Sequence, residues 1–286
     1  MNKQQAAILS VISNSVLIIF KIIAGISMNS ISVISEAIHS SLDLLASIIA
    51  FFSIKKAVIP EDNDHPFGHG KYENVSSFVE AILILIAAVL IIYESTKKII
   101  SGVQVDHIGS GVIVMLISSV VNLFISLSLF KISKKTNSLA LEADAYHLLT
   151  DVFTSLGVFA GLILLKITGI KLLDPISAIL VAFLIIKTSV DLIKKSMVDL
   201  VDSSLPNEDI QKIIAVIKSY PEITNYHKLR TRKSGETVEI DVHLLIDGNT
   251  SLINAHNLSN EIEEQVSSLF KSCYIVVHIE PETTDM

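Results

Sequence analysis

The sequence predicts a membrane α-helical protein, in which a bundle of six transmembrane helices is followed by a small C-terminal α+β domain. Three observations predict this fold class. Hydrophobic residues make up 50% of the 286 residues, and the mean hydropathy of +0.59 is too apolar for an ordinary soluble domain. Apolar runs near the ~20 residues that cross a bilayer occur six times before residue 205. After Leu205-Pro206 the composition becomes that of a soluble domain.

The first apolar run begins near the N-terminus and superficially resembles a signal peptide. It lacks an A-x-A-type cleavage site and continues through Lys21 to Ile26, so we interpret it as the first span. The other spans are predicted at about 31–54, 75–95, 110–132, 140–165 and 172–190. Polar residues within the spans are interpreted as contacts between helices; they include Asn14, Lys21, Glu80 and Asn122.

Lysine placement predicts the orientation of the bundle. With the N-terminus inside, the inner segments hold nine lysines and the outer segments hold four. Because cytoplasmic loops of membrane proteins are enriched in lysine and arginine, we expect both termini in the cytoplasm of a multi-pass protein of the cell membrane.

Charge and cysteine content exclude several classes of partner and site. Residues 206–286 hold 13 Asp+Glu against 7 Lys+Arg, a net charge of −6, whereas residues 1–205 hold 16 against 15. An acidic tail argues against a nucleic acid partner, which requires a basic surface. The single cysteine, Cys273, excludes both a disulfide framework and a thiolate metal cluster.

The C-terminal domain shows alternating helical and strand periodicity. Its predicted order of helix, strand, strand, helix and strand is typical of a compact α+β layer. The first two strands are joined around Ser234-Gly235, a turn signal. The predicted elements run from Glu208 to Ser219, Thr224 to Thr231, Thr237 to Ile246, Ser251 to Phe270 and Tyr274 to Ile279.

Two spans carry the same His-x-x-x-Asp signature, His39 with Asp43 in the second span and His147 with Asp151 in the fifth. At 3.6 residues per turn each pair shares one helix face, and Asp144 lies on the same face of the fifth span. An internal His–Asp hydrogen bond would explain one such pair. Two matching pairs favour a metal site instead, because two imidazoles and two carboxylates form an N2O2 set suited to zinc or a neighbouring divalent metal.

The loop between the second and third spans holds a second candidate group. Asp62, His65 and His69 are spaced for a metal site, and Gly68 and Gly70 allow a tight backbone. The spacing leaves two interpretations open, a loop metal site and a solvated polar turn.

Four histidines and one nearby carboxylate are scattered through the C-terminal domain. Scattered histidines in a domain of this size are more typical of surface or core positions than of ligands, and a shared metal site is the alternative. The residues are His227, His243, His256, His278 and Glu280.

Several motifs together resemble the cation diffusion facilitator family over nearly the whole chain. These motifs are SEAIHSSLD, HPFGHGKYE, ADAYHLLTD, LLDPI, LVDSSLP and HKLRTRKSG. The resemblance implies a six-helix transport domain (residues 1–205) and a cytoplasmic ferredoxin-like, metallochaperone-like domain (residues 206–286) with regulatory and dimerisation roles. It also implies a homodimer in the lipid bilayer that exports divalent metal ions in exchange for protons.

The resemblance also implies roles for individual residues. The transport site would be His39, Asp43, His147 and Asp151. The loop site would be Asp62, His65 and His69, and the cytoplasmic site would draw on His227, His243, His256, His278 and Glu280. Lys71 and Asp202 match positions of a structural charge pair near the membrane surface.

Two positions bear on metal choice. Some bacterial members of the family have Asp where this chain has His39, so the His-Asp/His-Asp set resembles the zinc-preferring branch. Glu280 stands where some relatives have Asp. We therefore expect Zn2+ as the transported ion and as a structural or regulatory ion. A broader exporter of Fe2+, Mn2+, Cd2+ or Co2+ is the alternative within the same family.

Ligand chemistry suggests the mechanism of exchange. Metal binds neutral imidazole and ionised carboxylate, so loading displaces protons and protonation favours release. A site that opens alternately to each side would turn this competition into antiport. An intramembrane metalloprotease is disfavoured, because the chain has no H-E-x-x-H motif and four protein ligands leave no position for water. A metal sensor without transport is the remaining alternative.

Overall fold

The computed structural model describes residues 1–27, 31–101, 111–170 and 172–282. At positions 31, 32, 35, 36, 39, 42, 111, 112, 162, 165, 166 and 174 the backbone alone is described. The chain divides into two compact units. The first consists of Met1–Val58 with Tyr72–Met197, and the second of Ile59–Lys71 with Val198–Met286. The loop that carries the Asp62 group therefore belongs to the second unit.

The described part of the first unit forms six long helices, and each predicted span lies within one of them apart from a few terminal residues. Among the described residues, four helices are long and apolar enough to cross a membrane: α1, α3, α4 and α6. The other two, α2 and α5, carry the His-x-x-x-Asp pairs. The bounds are α1 Lys3–Ser27, α2 Ile31–Ala57, α3 Lys71–Ser101, α4 Gly111–Thr136, α5 Leu139–Thr168 and α6 Leu173–Leu200.

Small residues and aliphatic side chains hold the first unit together. Helices α1, α2, α4 and α5 pack against one another, with fully buried Ala6 and Ala7 of α1 in one cluster with leucines of α4 and α5. Helix α3 packs against α6, where the Ser189 hydroxyl donates to the Ala81 carbonyl at 2.7 Å. Small residues allow the helices to approach closely. Close packing matters in a membrane because apolar lipid gives no hydrophobic driving force for helix association. This packing brings the polar faces of α2 and α5 together.

Up to residue 282, where the described residues end, the second unit contains two helices and a three-stranded sheet in the predicted order of helix, strand, strand, helix and strand. Strand order in the sheet is β1-β2-β3, with β1 antiparallel and β3 parallel to β2. Gly235 has a φ of 64° at the first central position of the β1–β2 hairpin, as a type II′ turn requires. The bounds are α7 Asn207–Lys218, β1 Ile223–Ser234, β2 Thr237–Ile246, α8 Leu252–Ser267 and β3 Cys273–Pro281.

The central strand β2 separates a hydrophobic core from a polar face. Every second residue from Val238 to Ile246 is buried, and those from Val238 to Leu244 share a core with helix residues that include Ile213 of α7 and Ile262 of α8. Successive strand residues point to opposite faces, so His243 lies on the other face of the sheet. The same alternation therefore fixes the domain core and the position of one candidate ligand.

Candidate metal centres

The first candidate centre lies inside the helical unit, between α2 and α5. Ligand atoms of Asp43, His147 and Asp151 all lie within 4.8 Å of one another. His147 Nε2 is 3.0 Å from Asp43 Oδ1, so an imidazole of one helix is hydrogen-bonded to a carboxylate of the other. The side chain of His39, the fourth predicted ligand, lies outside the described residues. Three of the four predicted ligands are therefore brought together from two helices.

One ring nitrogen of His147 is buried inside the bundle. This atom, Nδ1, has no hydrogen-bond partner among the described residues, while Nε2 is engaged with Asp43. A buried polar atom without a partner is rare in native proteins and calls for an explanation. Imidazole nitrogen and carboxylate oxygen are both normal donors to zinc and to neighbouring divalent metals. The residues present therefore fit a divalent metal ion.

Asp144 shares a helix face with these ligands but has a different partner. Its Oδ1 accepts a hydrogen bond from Ser47 of α2 at 2.9 Å, and the Asn14 amide of α1 donates to the same serine at 2.7 Å. Glu80 of α3 is fully buried, and neither of its carboxylate oxygens is hydrogen-bonded among the described residues. Ionisable groups inside a membrane bundle are costly and mark functional regions. The bundle interior next to the site therefore holds acidic residues in addition to the candidate ligands.

Lys21 and Asn122, like Asn14, make the contacts between helices that the sequence assigned to them. The Lys21 ammonium of α1 donates to the Ser40 hydroxyl of α2 at 2.6 Å. Asn122 of α4 donates through Nδ2 to Oδ2 of Asp151 at 3.3 Å. The second contact reaches a candidate ligand, so α4 also takes part in the site. The sequence marked Asn122 as a polar residue in a span but did not connect it with Asp151.

The second candidate centre is the loop between α2 and α3. Atoms of Asp62, His65 and His69 lie within 4.8 Å of one another, as the spacing predicted. His69 is 4% exposed; its Nδ1 lies 3.2 Å from the Pro60 carbonyl and its Nε2 lies 3.4 Å from Asp62. Histidines that ligate metals usually donate their other ring N–H to a carbonyl or carboxylate. His69 is therefore held with Nε2 directed at the carboxylate.

The backbone of this loop stabilises the ionised form of Asp62. The His65 backbone N–H donates to Asp62 Oδ1 at 2.7 Å, and the Asp64 N–H donates to the same oxygen at 3.0 Å. These bonds and the nearby histidines lower the pKa of the Asp62 carboxyl, while partial burial opposes the shift. Gly68 adopts a left-handed φ of 74°, which glycine permits without strain. The carboxylate is thus ready to accept a cation at neutral pH.

The third candidate centre lies on the polar face of the sheet. His227, His243 and His278 occupy matching positions on β1, β2 and β3, because His227 pairs with His243 and His243 pairs with His278. Directly paired residues point to the same face of a sheet. Ring centroids are 5.1 Å apart for the first pair and 4.6 Å apart for the second. A β-bulge with Lys228 at a φ of 51° follows His227 in β1.

Glu280 joins this histidine row. Its carboxylate lies 2.7 Å from His243 Nδ1, 3.0 Å from His227 Nε2 and 3.4 Å from His278 Nε2. Contact with His243, then with His227, lowers the pKa of Glu280, and partial burial opposes the shift. Ligand atoms of His227, His243 and Glu280 lie within 4.8 Å of one another. His256, on the exposed face of α8, is outside that group and lies 3.2 Å from the Asn260 amide.

The predicted charge pair is part of a larger group. The Lys71 ammonium donates to Asp202 at 2.7 Å. Arg232 of β1 also contacts Asp202, at 3.3 Å, and donates to Glu239 at 2.6 Å while its guanidinium lies 4.8 Å from the Phe67 ring centroid. Lys71 and Arg232 together lower the pKa of the Asp202 carboxyl. The motif HKLRTRKSG contains Arg232, but nothing in the sequence showed which of its cations reaches Asp202.

A bundle of apolar helices with a buried His/Asp cluster and a separate acidic domain defines a membrane transporter of cations, and comparison with known protein families agrees. Residues 7–201 match the cation efflux transmembrane domain. Residues 205–282 match the cytoplasmic domain of cation efflux proteins. The chain therefore belongs to the cation diffusion facilitator family of divalent cation efflux transporters. It is a multi-pass membrane protein with a C-terminal cytoplasmic domain, and the predicted fold class is confirmed.

Curated relatives of similar length agree with this membership. The cation-efflux pump FieF of Shewanella oneidensis is 32% identical over 95% of this chain and 92% of its own length. The manganese efflux system protein MneP of Bacillus subtilis is 31% identical over 97% of this chain and 96% of its own. The metal-bound C-terminal domain of the CzcD transporter from Thermotoga maritima is 25% identical over 28% of this chain and 93% of that chain, with a TM-score of 0.26.

Proposed function

We propose that this transporter exports Zn2+ from the cytoplasm in exchange for protons by alternating access. The observation that carries the proposal is the group of Asp43, His147 and Asp151, whose ligand atoms lie within 4.8 Å of one another inside a transmembrane helical domain. With His39 as the fourth donor, the set is N2O2, which suits tetrahedral zinc. Such a site needs no enzyme chemistry, and the family consists of transporters.

The contact between His147 and Asp43 supports proton exchange. A metal ion that takes an imidazole nitrogen and a carboxylate oxygen competes with the 3.0 Å hydrogen bond between them. Metal binding requires the neutral imidazole, and a proton restores the hydrogen-bonded pair. Histidine is suited to this exchange because its ordinary pKa of about 6.5 is close to physiological pH. We therefore assign His39 and His147 as the proton carriers.

The two exposed groups serve regulation in this proposal. We assign residues 1–205 to transport and residues 206–286 to regulation and dimerisation, with both termini in the cytoplasm. Zinc bound by Asp62, His65 and His69, and by the histidine row with Glu280, would act as a structural or regulatory ion. His256 lies outside the group of its own chain, so we propose that a homodimer brings the corresponding histidine of a second copy to the row.

A second candidate function is a broader or manganese-preferring exporter of the same family. The observation that favours it is the 31% identity to a protein named for manganese efflux, over 97% of this chain. The two candidates differ in ligand preference, since Mn2+ tolerates more oxygen donors and a higher coordination number than Zn2+.

Flux through purified protein in proteoliposomes tests the proposal. We expect zinc uptake that rises with an imposed pH gradient and exceeds the uptake of manganese, cadmium, iron and cobalt under the same conditions. Zinc uptake that does not depend on the imposed pH gradient would contradict antiport. Manganese uptake above zinc uptake would support the second candidate, and metal binding without flux would indicate a sensor.

A further inference from the structure

The amide of Asn122 is the contact from α4 to the membrane site. Its Nδ2 donates to Oδ2 of Asp151 at 3.3 Å, and the side chain is 7% exposed. The predicted ligands lie on α2 and α5, so this contact adds a third helix to the site. Residues that hold a ligand in this way change metal affinity by roughly 10- to 100-fold in other proteins.

The orientation of this amide is fixed by the carboxylate. Asn122 Oδ1 is buried and has no hydrogen-bond partner among the described residues, so the amide gains its hydrogen bond only at Asp151. Exchanging the amide nitrogen and oxygen would place two acceptors against each other. Asn122 therefore presents a donor to one oxygen of Asp151 as long as that carboxylate is ionised.

A donor on one carboxylate oxygen affects how the carboxylate binds metal. The hydrogen bond from Asn122 occupies one lone pair of Oδ2 and so favours metal binding through the other oxygen of Asp151 alone. Single-atom binding keeps the site four-coordinate, as zinc prefers. Without the donor, Asp151 is free to bind through both oxygens and to raise the coordination number, which favours larger ions and ions with more oxygen ligands.

We propose that Asn122 is a positioning residue for metal specificity, which holds Asp151 in single-atom coordination and so favours zinc over cadmium and manganese. This inference rests on the proposed zinc transport. It differs from that function because it assigns part of the selectivity to a residue that is itself no ligand.

The test measures binding of zinc, cadmium and manganese, each alone, to the full-length protein in detergent. Asn122→Leu removes the donor at similar volume, and Asn122→Thr keeps a hydroxyl donor. Ser126→Ala is the matched control, because Ser126 is buried one turn further along α4 and donates to the Ala145 carbonyl rather than to a ligand. Only the binding that Asp151→Ala abolishes is counted, which removes the contribution of the two exposed sites.

We expect Asn122→Leu to lower the zinc-to-cadmium affinity ratio by about 10-fold or more. Asn122→Thr should keep a ratio closer to wild type, and Ser126→Ala should leave it unchanged. Elution as a single symmetric peak in size-exclusion chromatography identifies folded variants, and Asn122→Ala, which also lacks the donor, decides the question if Asn122→Leu does not fold.

An unchanged ratio, or an equal loss for all three metals, would overturn the role in specificity while leaving zinc transport in place. Wild-type protein without any Asp151-dependent zinc binding would overturn the proposed function and this inference together.

Discussion

The membrane site and the histidine row of the cytoplasmic domain use the same donor types in opposite surroundings. In the membrane unit, the side chains of His147 and Asp43 are 13% and 9% exposed, and they come from two separate helices. In the sheet, the side chains of His278 and Glu280 are 61% and 29% exposed, and their positions are set by strand register. One set is buried between two helices, and the other is open to water on one sheet.

In the proposed function, this difference would separate a transport role for the membrane group from a regulatory role for the histidine row. Charge in a low-dielectric interior is costly, so the proposed transport site would exchange metal for protons rather than stand empty and ionised. At the exposed row, water screens the carboxylate, and zinc bound there would add stability without being transported. The comparison therefore predicts that changes in the membrane site abolish flux, whereas changes in the sheet alter stability and regulation.

Removing a ligand from the buried site gives the largest expected effect. We expect Asp151→Ala to lower zinc flux in proteoliposomes by about 100-fold or more, because the site loses a charged ligand. The protein should remain folded, since alanine has the highest helix propensity. Asp191→Ala, which removes an exposed carboxylate of α6, should leave the flux unchanged. Wild-type flux of Asp151→Ala at equal reconstitution would place the transport site elsewhere.

Replacing a nitrogen donor of the membrane site by an oxygen donor tests the metal preference of that site. In His39→Asp an oxygen donor replaces nitrogen, and the shorter side chain enlarges the cavity. We expect the ratios of cadmium flux and manganese flux to zinc flux to rise by about 10-fold, because larger sites with more oxygen ligands favour those ions. Flux between about pH 6 and 8 should also depend less on pH, since one imidazole is lost. An unchanged metal ranking would show that selectivity lies outside the predicted tetrad.

Zinc binding at the row of His227, His243 and His278 should stabilise the isolated cytoplasmic domain. A fragment of residues 203–286 contains the complete core of the domain, including Leu205. At zinc 100-fold above Kd, linkage gives about 2.7 kcal/mol of stabilisation, or a Tm increase on the order of 10 °C. His243→Ala should remove most of this shift, and scattering should show compaction or dimerisation of the wild-type fragment. No change at saturating zinc would mean that these histidines are structural.

The lowered pKa of Glu280 predicts an acid limit for the same fragment without metal. A carboxylate with a pKa below its ordinary value of 4.5 contributes stability above that pH, and this contribution is lost as pH falls through the lowered pKa. We therefore expect Tm to fall below about pH 4.5, and to fall less steeply in Glu280→Gln. The exposed Glu222→Gln serves as the control. If Tm falls equally steeply with decreasing pH in Glu280→Gln and in wild type, the coupling of Glu280 to the histidines is contradicted.

The Lys71–Asp202 pair should give the smallest effect. Both side chains are substantially exposed, at 34% and 45%, and exposed ion pairs contribute about 0–1 kcal/mol. Lys71→Ala should lower the Tm of the full-length protein by a few degrees at low salt, and the difference should shrink at high salt. Arg232→Ala should cost more, because Arg232 contacts Asp202, Glu239 and Phe67. Equal effects of the two variants would show that the contacts of Arg232 are redundant.

Local periodicity was sufficient for the secondary structure and for the candidate ligands. Apolar runs of span length predicted the positions of α1 to α6. The number of consecutive apolar residues needed to cross a bilayer follows from the bilayer thickness and the helix rise per residue, so it can be read from the sequence. The element order of the cytoplasmic domain also followed from alternation and turn signals, and Thr237–Ile246 matches its predicted bounds. His147 and Asp151 share a helix face from spacing alone, and the loop of Asp62, His65 and His69 is short enough for its spacing to bring them together.

Contacts between distant segments required the tertiary structure. The row of His227, His243 and His278 exists because two strand registers align, and a shift of one residue would turn a histidine to the other face. The contact from Asn122 to Asp151 depends on how α4 packs against α5. The sequence by itself determined which residues are candidate ligands and on which elements they lie, because those properties are local. Only packing and register decided which of them meet, since the relevant distances join residues far apart in the chain.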